Sequence, residues 1–287
     1  MNNSVITNAM TVDVEDYFQV SAFEKHIAKS DWDKLPQRVE RNTHRFLDLF
    51  AEHHVKATFF ALGWVAERYP KLIERIVDEG HELACHGYDH VRVTELDPER
   101  FHSDIVKTKK ILEDIGGCEV IGYRAPSYSI GAGNLWAHRI LVEAGFKYSS
   151  SVYPVKHDLY GMPDAPRFIY EPIENNAFKE IPITTLPLAG RNWPCGGGGF
   201  FRFYPYRLSK WAFDTINRKE RQPGIFYCHP WEIDPEQPRQ PGIGLKTKFR
   251  HYLNLDKMEA RIVELLNDFS WDTMARVFLD SDTNRPN

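Results

Sequence analysis

Short apolar segments alternate with longer amphipathic segments over the first half of the chain. An apolar run at residues 9–13 is followed by a pattern of apolar positions with helical spacing from Val39 to Phe50. The same alternation predicts further strands over residues 57–62, 82–86 and 120–124, and helices over residues 70–79, 98–115 and 134–144. Strands that alternate with helices are typical of a parallel sheet. The pattern therefore predicts an α/β fold, with the sheet curled into a barrel.

Residues that favour helix ends support these boundaries. Asp97 precedes Pro98, which places a capping side chain before a proline in the first helical turn. Gly80, Gly116 and Gly145 each follow a predicted helix, where glycine is favoured.

The alternation stops between residues 150 and 205. This stretch is rich in proline and aromatic residues, contains four consecutive glycines at 196–199, and predicts only short strands near residues 168–171 and 180–183. Beyond it we predict a helix over 204–218, a strand over 225–228, an irregular proline-rich stretch and a last helix over 255–269. We expect one catalytic domain over residues 1–287, with an insertion at about 150–205 that shapes a site and a C-terminal extension at about 230–287.

Composition narrows the classes of partner. The chain has 287 residues, of which 42% are hydrophobic and 26% charged, as in ordinary globular proteins. Its net charge of −4 offers no overall basic field for nucleic acid or an anionic membrane, so neither is an expected partner. The oligomeric state stays open.

The first residues lack a basic stretch followed by an apolar run, and no segment reaches about 18 uninterrupted apolar residues. A cytoplasmic, unanchored protein is the expectation. Cys85, Cys118, Cys195 and Cys228 are widely spaced with no C-x-x-C pair, which favours buried free thiols over disulfides or a cysteine-rich zinc site.

Polar clusters follow four of the predicted strands. They occupy residues 13–16, 86–90, 124–128 and 229–232. In parallel α/β folds, loops at the carboxyl ends of the strands converge and carry the chemistry. We therefore expect these four clusters to meet.

Two histidines and an acidic cluster indicate a metal site. His86 and His90 lie four residues apart after a strand, so one helical turn would bring both imidazoles to one side. Asp13, Glu15 and Asp16 offer a third ligand and a base, and two histidines with one carboxylate leave positions open for water and substrate. Surface histidines and a solvated acidic turn are the alternatives.

The remaining clusters offer a cation, an acid and aromatic rings. Arg124 would be costly to bury unless it pairs with a carboxylate, and His229 could protonate a leaving amine. A structural salt bridge and a structural histidine are the alternatives. Four aromatic residues could stack on sugar rings, although core packing is the commoner role: Tyr128, Trp193, Phe200 and Trp231.

The four clusters, in this order, resemble the polysaccharide deacetylase family with its NodB-homology domain. Residues 11–16, 86–90 and 124–128 resemble its first three motifs, and His229 its last. The resemblance implies a distorted (β/α) barrel that removes acetyl groups from N-acetylated sugars of an oligosaccharide or polysaccharide. It also implies a divalent metal, for which zinc is favoured.

The resemblance assigns roles residue by residue. Asp13 would be the general base, Arg124 would orient it, and His229 would be the acid. The backbone N–H of Tyr128 would serve an oxyanion hole. His86 and His90 would bind the metal with Glu15, or with Asp16 in an alternative alignment.

A narrower resemblance concerns residues 13–17 and 228–234. They resemble a branch associated with exopolysaccharide gene clusters of exosortase-bearing bacteria, which implies a role in exopolysaccharide biosynthesis. The Asp-Trp motif common in the family is not evident in residues 193–202, so part of the substrate groove differs.

Two other functions remain open. One is a metal-independent amidohydrolase of the allantoinase type, against which both His86 and His90 argue. The other is a carbohydrate-binding protein without turnover, against which Asp13, Arg124 and His229 argue.

Overall fold

The computed structural model describes residues 5–157 and 160–280, in which a parallel sheet forms the framework. Its strands are β1 (Thr7–Val14), β2 (Thr58–Ala61), β3 (Glu82–Cys85), β4 (Gly122–Tyr123), β5 (Tyr148–Ser149), β6 (Lys179–Glu180), β9 (Ile225–Cys228) and β10 (Ser270–Asp272). The order β10-β1-β2-β3-β4-β5-β6, with β9 also pairing with β1, is a curled half-barrel. The predicted α/β fold is confirmed.

Helices connect and cover these strands. They are α1 (Val39–Glu52), α2 (Gly63–Arg68), α3 (Pro70–Asp78), α4 (Pro98–Gly116), α5 (Trp136–Glu143), α6 (Gly198–Phe203), α7 (Tyr206–Thr215), α8 (Leu245–Tyr252), α9 (Leu255–Asp268) and α10 (Met274–Phe278). Most of their buried faces share one large apolar core with the sheet, whereas α10 packs into a second apolar cluster with β9. Strands β7 (Thr185–Leu188) and β8 (Arg191–Pro194) form a separate antiparallel hairpin.

The first half of the chain follows its sequence pattern closely. The predicted strands at 57–62 and 82–86 and the helices at 70–79 and 98–115 appear as β2, β3, α3 and α4 within two residues at each end. Asp97 caps α4 by accepting a hydrogen bond of 2.8 Å from the backbone N–H of Arg100. The glycine that follows the helix is Gly117, at a φ of 61°, because α4 includes Gly116.

The differences lie in the insertion and in the C-terminal part, where α8, β10 and α10 were not predicted. The strand predicted near residues 168–171 is a single antiparallel bridge from Tyr170 to Glu180. The glycine run, expected to be irregular, leads into α6. Gly197 adopts a φ of 132° and lies so near β9 that a Cβ would fall 2.0 Å from the carbonyl oxygen of Tyr227. Only glycine permits this approach, which the local pattern does not reveal.

Strand β1 is central to the sheet. It pairs in parallel with β9 over Ala9–Val12, with β10 at its start and with β2 at its end. Asp13 stands near the carboxyl end of β1 and Glu15 directly follows the strand. The pairing therefore sets the acidic cluster between the ends of β2 and β9.

No helix in the described ranges is long and apolar enough to cross a bilayer. All four cysteines are free thiols, as expected, although Cys118 is only partly buried whereas Cys85, Cys195 and Cys228 are buried.

His81, a buried histidine just before β3, predicts that the fold is less stable in acid. His81 accepts a hydrogen bond of 3.1 Å at Nδ1 from the backbone N–H of Ala57. Burial, with the charges of Lys56 and Arg75, lowers the pKa of His81 from 6.5 to about 4. The unfolded chain therefore takes up the proton first, and stability falls as the pH drops from 6.5 to 4, by up to roughly 3 kcal/mol.

In the His81→Asn variant, Oδ1 can replace Nδ1 as the acceptor. The free energy of unfolding of this variant should change less between pH 6.5 and pH 4. Urea unfolding at several pH values measures both proteins. Parallel pH profiles would show that His81 does not contribute.

Candidate metal centre and active site

The four polar clusters meet at the carboxyl ends of the strands. Asp13 lies in β1. The residues that directly follow four of the strands are Glu15 after β1, His86 after β3, Arg124 after β4 and His229 after β9. All five are buried or nearly so. The convergence expected from the sequence is therefore present.

Glu15, His86 and His90 form a cluster able to hold a metal ion. Each offers a ligand atom, and these atoms all lie within 4.8 Å of one another. Nε2 of His90 lies 2.8 Å from Oε2 of Glu15. Nδ1 of His86 lies 2.8 Å from the carbonyl oxygen of Arg124, to which it donates, so Nε2 is left for an ion.

The chemistry of the cluster fits a divalent cation. Oε2 of Glu15 is buried and accepts no hydrogen bond of acceptable geometry within the described residues, despite the nearby His90. Burial disfavours the charged carboxylate, but the imidazoles of His90, His229 and His86 outweigh this and lower the pKa of Glu15 to about 2. Two imidazoles and one ionised carboxylate are a set of ligands that suits zinc.

Asp16 lies outside this cluster. Its Oδ2 accepts hydrogen bonds of 2.7 and 2.9 Å from the backbone N–H groups of Arg38 and Val39, at the start of α1. Its Oδ1 accepts from the N–H of Tyr17 at 2.8 Å. Both oxygens are thus engaged by backbone, and Asp16 caps a helix.

Asp13 and Arg124 form a buried ion pair. Nη1 of Arg124 lies 2.6 Å from Oδ1 of Asp13 and donates a further hydrogen bond of 2.8 Å to Oγ1 of Thr11. The guanidinium group packs 4.0 Å from the ring centroid of Phe60 and is fully buried. Oδ2 of Asp13 is left facing the site.

His229 lies close to the carboxylates of both Asp13 and Glu15. Its Nε2 lies 3.9 Å from Oδ2 of Asp13 and 3.7 Å from Oε1 of Glu15. Its Nδ1 lies 3.1 Å from Oε2 of Glu232, which also accepts from the backbone N–H of His229 at 3.0 Å. Burial lowers the pKa of His229, but Glu232 and the other carboxylates outweigh it and raise the pKa to about 9.

Glu232 and Arg202 support the histidine from behind. Nε of Arg202 lies 2.8 Å from Oε1 of Glu232, and both side chains are buried. The guanidinium group also donates to the backbone carbonyls of residues 250, 251 and 253. Sequence reasoning gave neither residue a role. For Glu232 the signal was its position three residues after His229, whereas nothing local marks Arg202.

Tyr128 does not present a free backbone N–H. That N–H donates to the carbonyl of Ala125 at 3.0 Å, whereas the hydroxyl group lies 3.5 Å from Oδ2 of Asp13. Ser127 and Tyr128 both have positive φ values, 53° and 51°. This turn aims the phenol, rather than the amide, at the site.

The other three aromatic candidates differ in position. Trp231 is buried, donates from Nε1 to Oε1 of Glu15 at 3.1 Å, and stacks on His229. It therefore supports the site rather than offering an open platform. Trp193 lies exposed on β8, and Phe200 stacks on Tyr204, so among the described residues neither contacts Glu15, His86 or His90.

Two family models each match a different part of the chain. Residues 23–148 match the model described as polysaccharide deacetylase, and residues 150–279 match a domain of unknown function, DUF3473. Strands from both regions pair in the same sheet. Residues 23–148 thus resemble the polysaccharide deacetylase family, which is the family that the sequence motifs suggested.

Curated relatives match shorter stretches. A peptidoglycan-N-acetylglucosamine deacetylase of Bacillus cereus is 39% identical over 75 residues, which cover 26% of this chain and 27% of that protein. A peptidoglycan deacetylase of Helicobacter pylori is 32% identical over 108 residues, which cover 38% of this chain and 36% of that protein. The chain thus spans about a third of the length of these relatives.

Solved structures share the fold over nearly the whole chain. A crystal structure described as a polysaccharide deacetylase of Mycobacterium smegmatis has a TM-score of 0.63 at 18% identity, covering 96% of this chain and 90% of that one. A CE4-family pseudoenzyme of Bacillus anthracis has a TM-score of 0.51 at 13% identity, covering 96% and 66%. The fold alone therefore does not decide activity.

Proposed function

We propose that this protein is a metal-dependent hydrolase that removes acetyl groups from N-acetylated sugars of a polysaccharide or its precursor. One observation carries the proposal. Beside the cluster of Glu15, His86 and His90 stands an imidazole, His229, whose Nε2 lies 3.7 Å from Oε1 of Glu15 and 3.9 Å from Oδ2 of Asp13, the carboxylate paired with arginine. A metal site flanked by a base and an acid is suited to hydrolysis of an amide.

We propose Glu15, His86 and His90 as the protein ligands of a divalent ion, with zinc favoured by the two imidazoles. Asp16 is not part of the proposed set because both of its oxygens accept backbone hydrogen bonds. When bound, such an ion polarises a carbonyl group and lowers the pKa of water toward about 7.

The side chains divide the proton transfers between them. Asp13, oriented through Oδ1 by Arg124, uses Oδ2 to take a proton from the water that attacks the acetamide carbon. Nε2 of His229 donates a proton to the sugar nitrogen as the carbon–nitrogen bond breaks. The products are acetate and a free amino sugar.

Glu232 is proposed as a positioning residue. It holds Nδ1 of His229 and is itself held by Arg202, so the imidazole keeps Nε2 turned toward the two carboxylates. The phenol of Tyr128, 3.5 Å from Asp13, is proposed to line the same space. Trp193 and Phe200 remain candidates for more distant sugar contacts.

The substrate we favour is an exopolysaccharide or its precursor, because residues 13–17 and 228–234 resemble the exopolysaccharide-associated branch. The acetylated sugars named for the curated relatives belong to peptidoglycan, which is the second candidate substrate.

Acetate release tests the proposed activity. Purified protein, loaded with zinc or treated with a chelator, is incubated with N-acetylated chitooligosaccharides, with peptidoglycan fragments and with acetylated exopolysaccharide. We expect release that requires the metal. Metal-independent release would favour the allantoinase type, and saccharide binding without any release would favour a binding protein.

The choice of third ligand predicts a difference between neighbouring variants. Glu15→Ala should weaken zinc binding at least tenfold, because a buried ligand is removed. Asp16→Ala should leave zinc affinity within about threefold and lower stability by about 0.5–2 kcal/mol, because a helix cap is lost. Isothermal titration with zinc and urea unfolding measure both. Equal loss of zinc affinity in the two variants would contradict the assignment.

A further inference from the structure

Exposed apolar side chains gather at the surface formed by α6 and α8. Leu245 is 84% exposed, and Phe203 and Phe249 are each 55% exposed. The rings of Phe203 and Phe249 lie 6.2 Å apart, and Leu245 stands one helical turn before Phe249 on the same face of α8. These three residues form one contiguous apolar surface.

Cations surround this apolar surface. Lys246, Lys248 and Arg250 are exposed on α8, and the exposed Arg239 packs 4.2 Å from the ring of Tyr252 at the end of α8. We call these four cations, with Phe203, Leu245 and Phe249, the α8 patch.

The segments that form the α8 patch are rich in positive charge, and the acidic residues nearest to α8 along the chain are Glu236 and Asp256. Residues 237–255 contain four lysines and arginines but no aspartate or glutamate, and residues 199–213 likewise contain no acidic residue. The chain as a whole has a net charge of −4. The expectation of no anionic-membrane partner rested on that net charge. A net charge does not show where on the surface the lysines and arginines lie.

We propose that the α8 patch docks the protein on an anionic lipid surface. An amphipathic helix with leucine and phenylalanine amid lysine and arginine is typical of segments that lie in a membrane interface. Apolar side chains insert between headgroups, while the cations pair with anionic lipid. A second copy of the chain fits the patch less well, because a symmetric contact would place the four cations against the same four cations.

The patch adjoins the proposed active site. His251, in the last turn of α8, stacks on Trp231 at 4.3 Å between ring centroids, and Trp231 donates to Glu15. Arg202, which precedes Phe203, holds Glu232. Docking would therefore hold the site near the bilayer, where a sugar carried on a lipid could reach it. This last consequence rests on the proposed function, but docking itself is measured without turnover.

Vesicle flotation tests the proposal on the full chain. Vesicles of phosphatidylcholine alone and of phosphatidylcholine with 30% phosphatidylglycerol are compared, at 50 and 500 mM salt. We expect binding to the anionic vesicles at low salt and its reduction at high salt, because salt screens the cations.

Two double variants separate the apolar from the electrostatic contribution to vesicle binding. Leu245→Ser with Phe249→Ser should lower partitioning to anionic vesicles at least tenfold. Lys246→Gln with Lys248→Gln should lower it about fivefold per lysine.

Matched controls use equally simple surface changes elsewhere. Val106→Ser with Leu135→Ser replaces residues that are 41% and 42% exposed on α4 and beside α5. Lys71→Gln with Lys110→Gln removes two exposed lysines on α3 and α4. Both controls should partition like the unaltered protein, and thermal unfolding checks that all variants are folded.

Three results would overturn the proposal. The first is no binding to anionic vesicles at low salt. The second is an equal loss of vesicle binding in the patch and control variants. The third is a protein that does not bind vesicles but self-associates, with the self-association abolished in the Leu245→Ser with Phe249→Ser variant. Acetate release from a soluble substrate should persist in the patch variants, so failure of docking and failure of catalysis are distinguishable.

Discussion

Replacing Asp13 with asparagine is expected to lower kcat for acetate release by about 100 to 10,000-fold, the usual contribution of a general base. Asparagine keeps the shape of the side chain, and its oxygen can still accept from Nη1 of Arg124, which lies 2.6 Å from Oδ1 of Asp13. It cannot take a proton from water. Because Asp13 is outside the cluster of Glu15, His86 and His90, bound zinc should remain near one ion per chain.

A matched variant separates catalysis from stability. Asp234 is also a buried carboxylate, and it lies 3.0 Å from Nη2 of Arg41. Asp234→Asn should weaken the fold in a similar way but keep kcat within a few-fold. Steady-state kinetics, zinc content and thermal unfolding are measured for both. The role of Asp13 would be refuted by an Asp13→Asn enzyme that retains a tenth or more of the activity.

Replacing Arg202 with methionine is expected to lower the free energy of unfolding by about 3–5 kcal/mol. The variant leaves Glu232 as an unpaired carboxylate in a buried position, and it removes hydrogen bonds to the backbone at the end of α8. Since Glu232 holds Nδ1 of His229, kcat should also fall. Urea unfolding and kinetics measure the two effects.

The matched control is Arg276→Met. Arg276 lies 3.2 Å from Asp272, but its side chain is 55% exposed. Its loss should cost no more than about 1 kcal/mol, because exposed pairs contribute little. Adding Glu232→Leu to Arg202→Met should cost less than the sum of the two single changes, because both partners of the pair are then gone. Similar costs for Arg202→Met and Arg276→Met would contradict the role assigned to the buried pair.

Much of the fold was predictable because its signals are local. The strand at 225–228 and the helix beginning at Leu255 follow from apolar spacing, and the start of α4 follows from Asp97 and Pro98. α6 was not predictable, because it depends on the close approach of Gly197 to Tyr227. That contact joins residues 30 apart in the sequence, so the local spacing of apolar residues does not predict it.

The site was predictable only as four clusters at strand ends. Their convergence follows from parallel strands, but the choice between Glu15 and Asp16 depends on where α1 begins. Its first N–H groups capture Asp16, so Glu15 is left beside His90. The hydrogen bond from the N–H of Tyr128 to Ala125 likewise depends on a turn with two positive φ values, which the motif does not indicate.

The pairing of β1 also has a consequence for how the protein folds. Asp13 reaches the site on a strand whose neighbours include β9 and β10, more than 200 residues later in the chain. Contacts so distant in sequence require closure of large loops, which slows folding. During synthesis on a ribosome, the pairing of β1 would be complete only after β9 and β10 had emerged. The proposed base on β1, Asp13, and the proposed acid after β9, His229, would then come together in one of the last steps of folding.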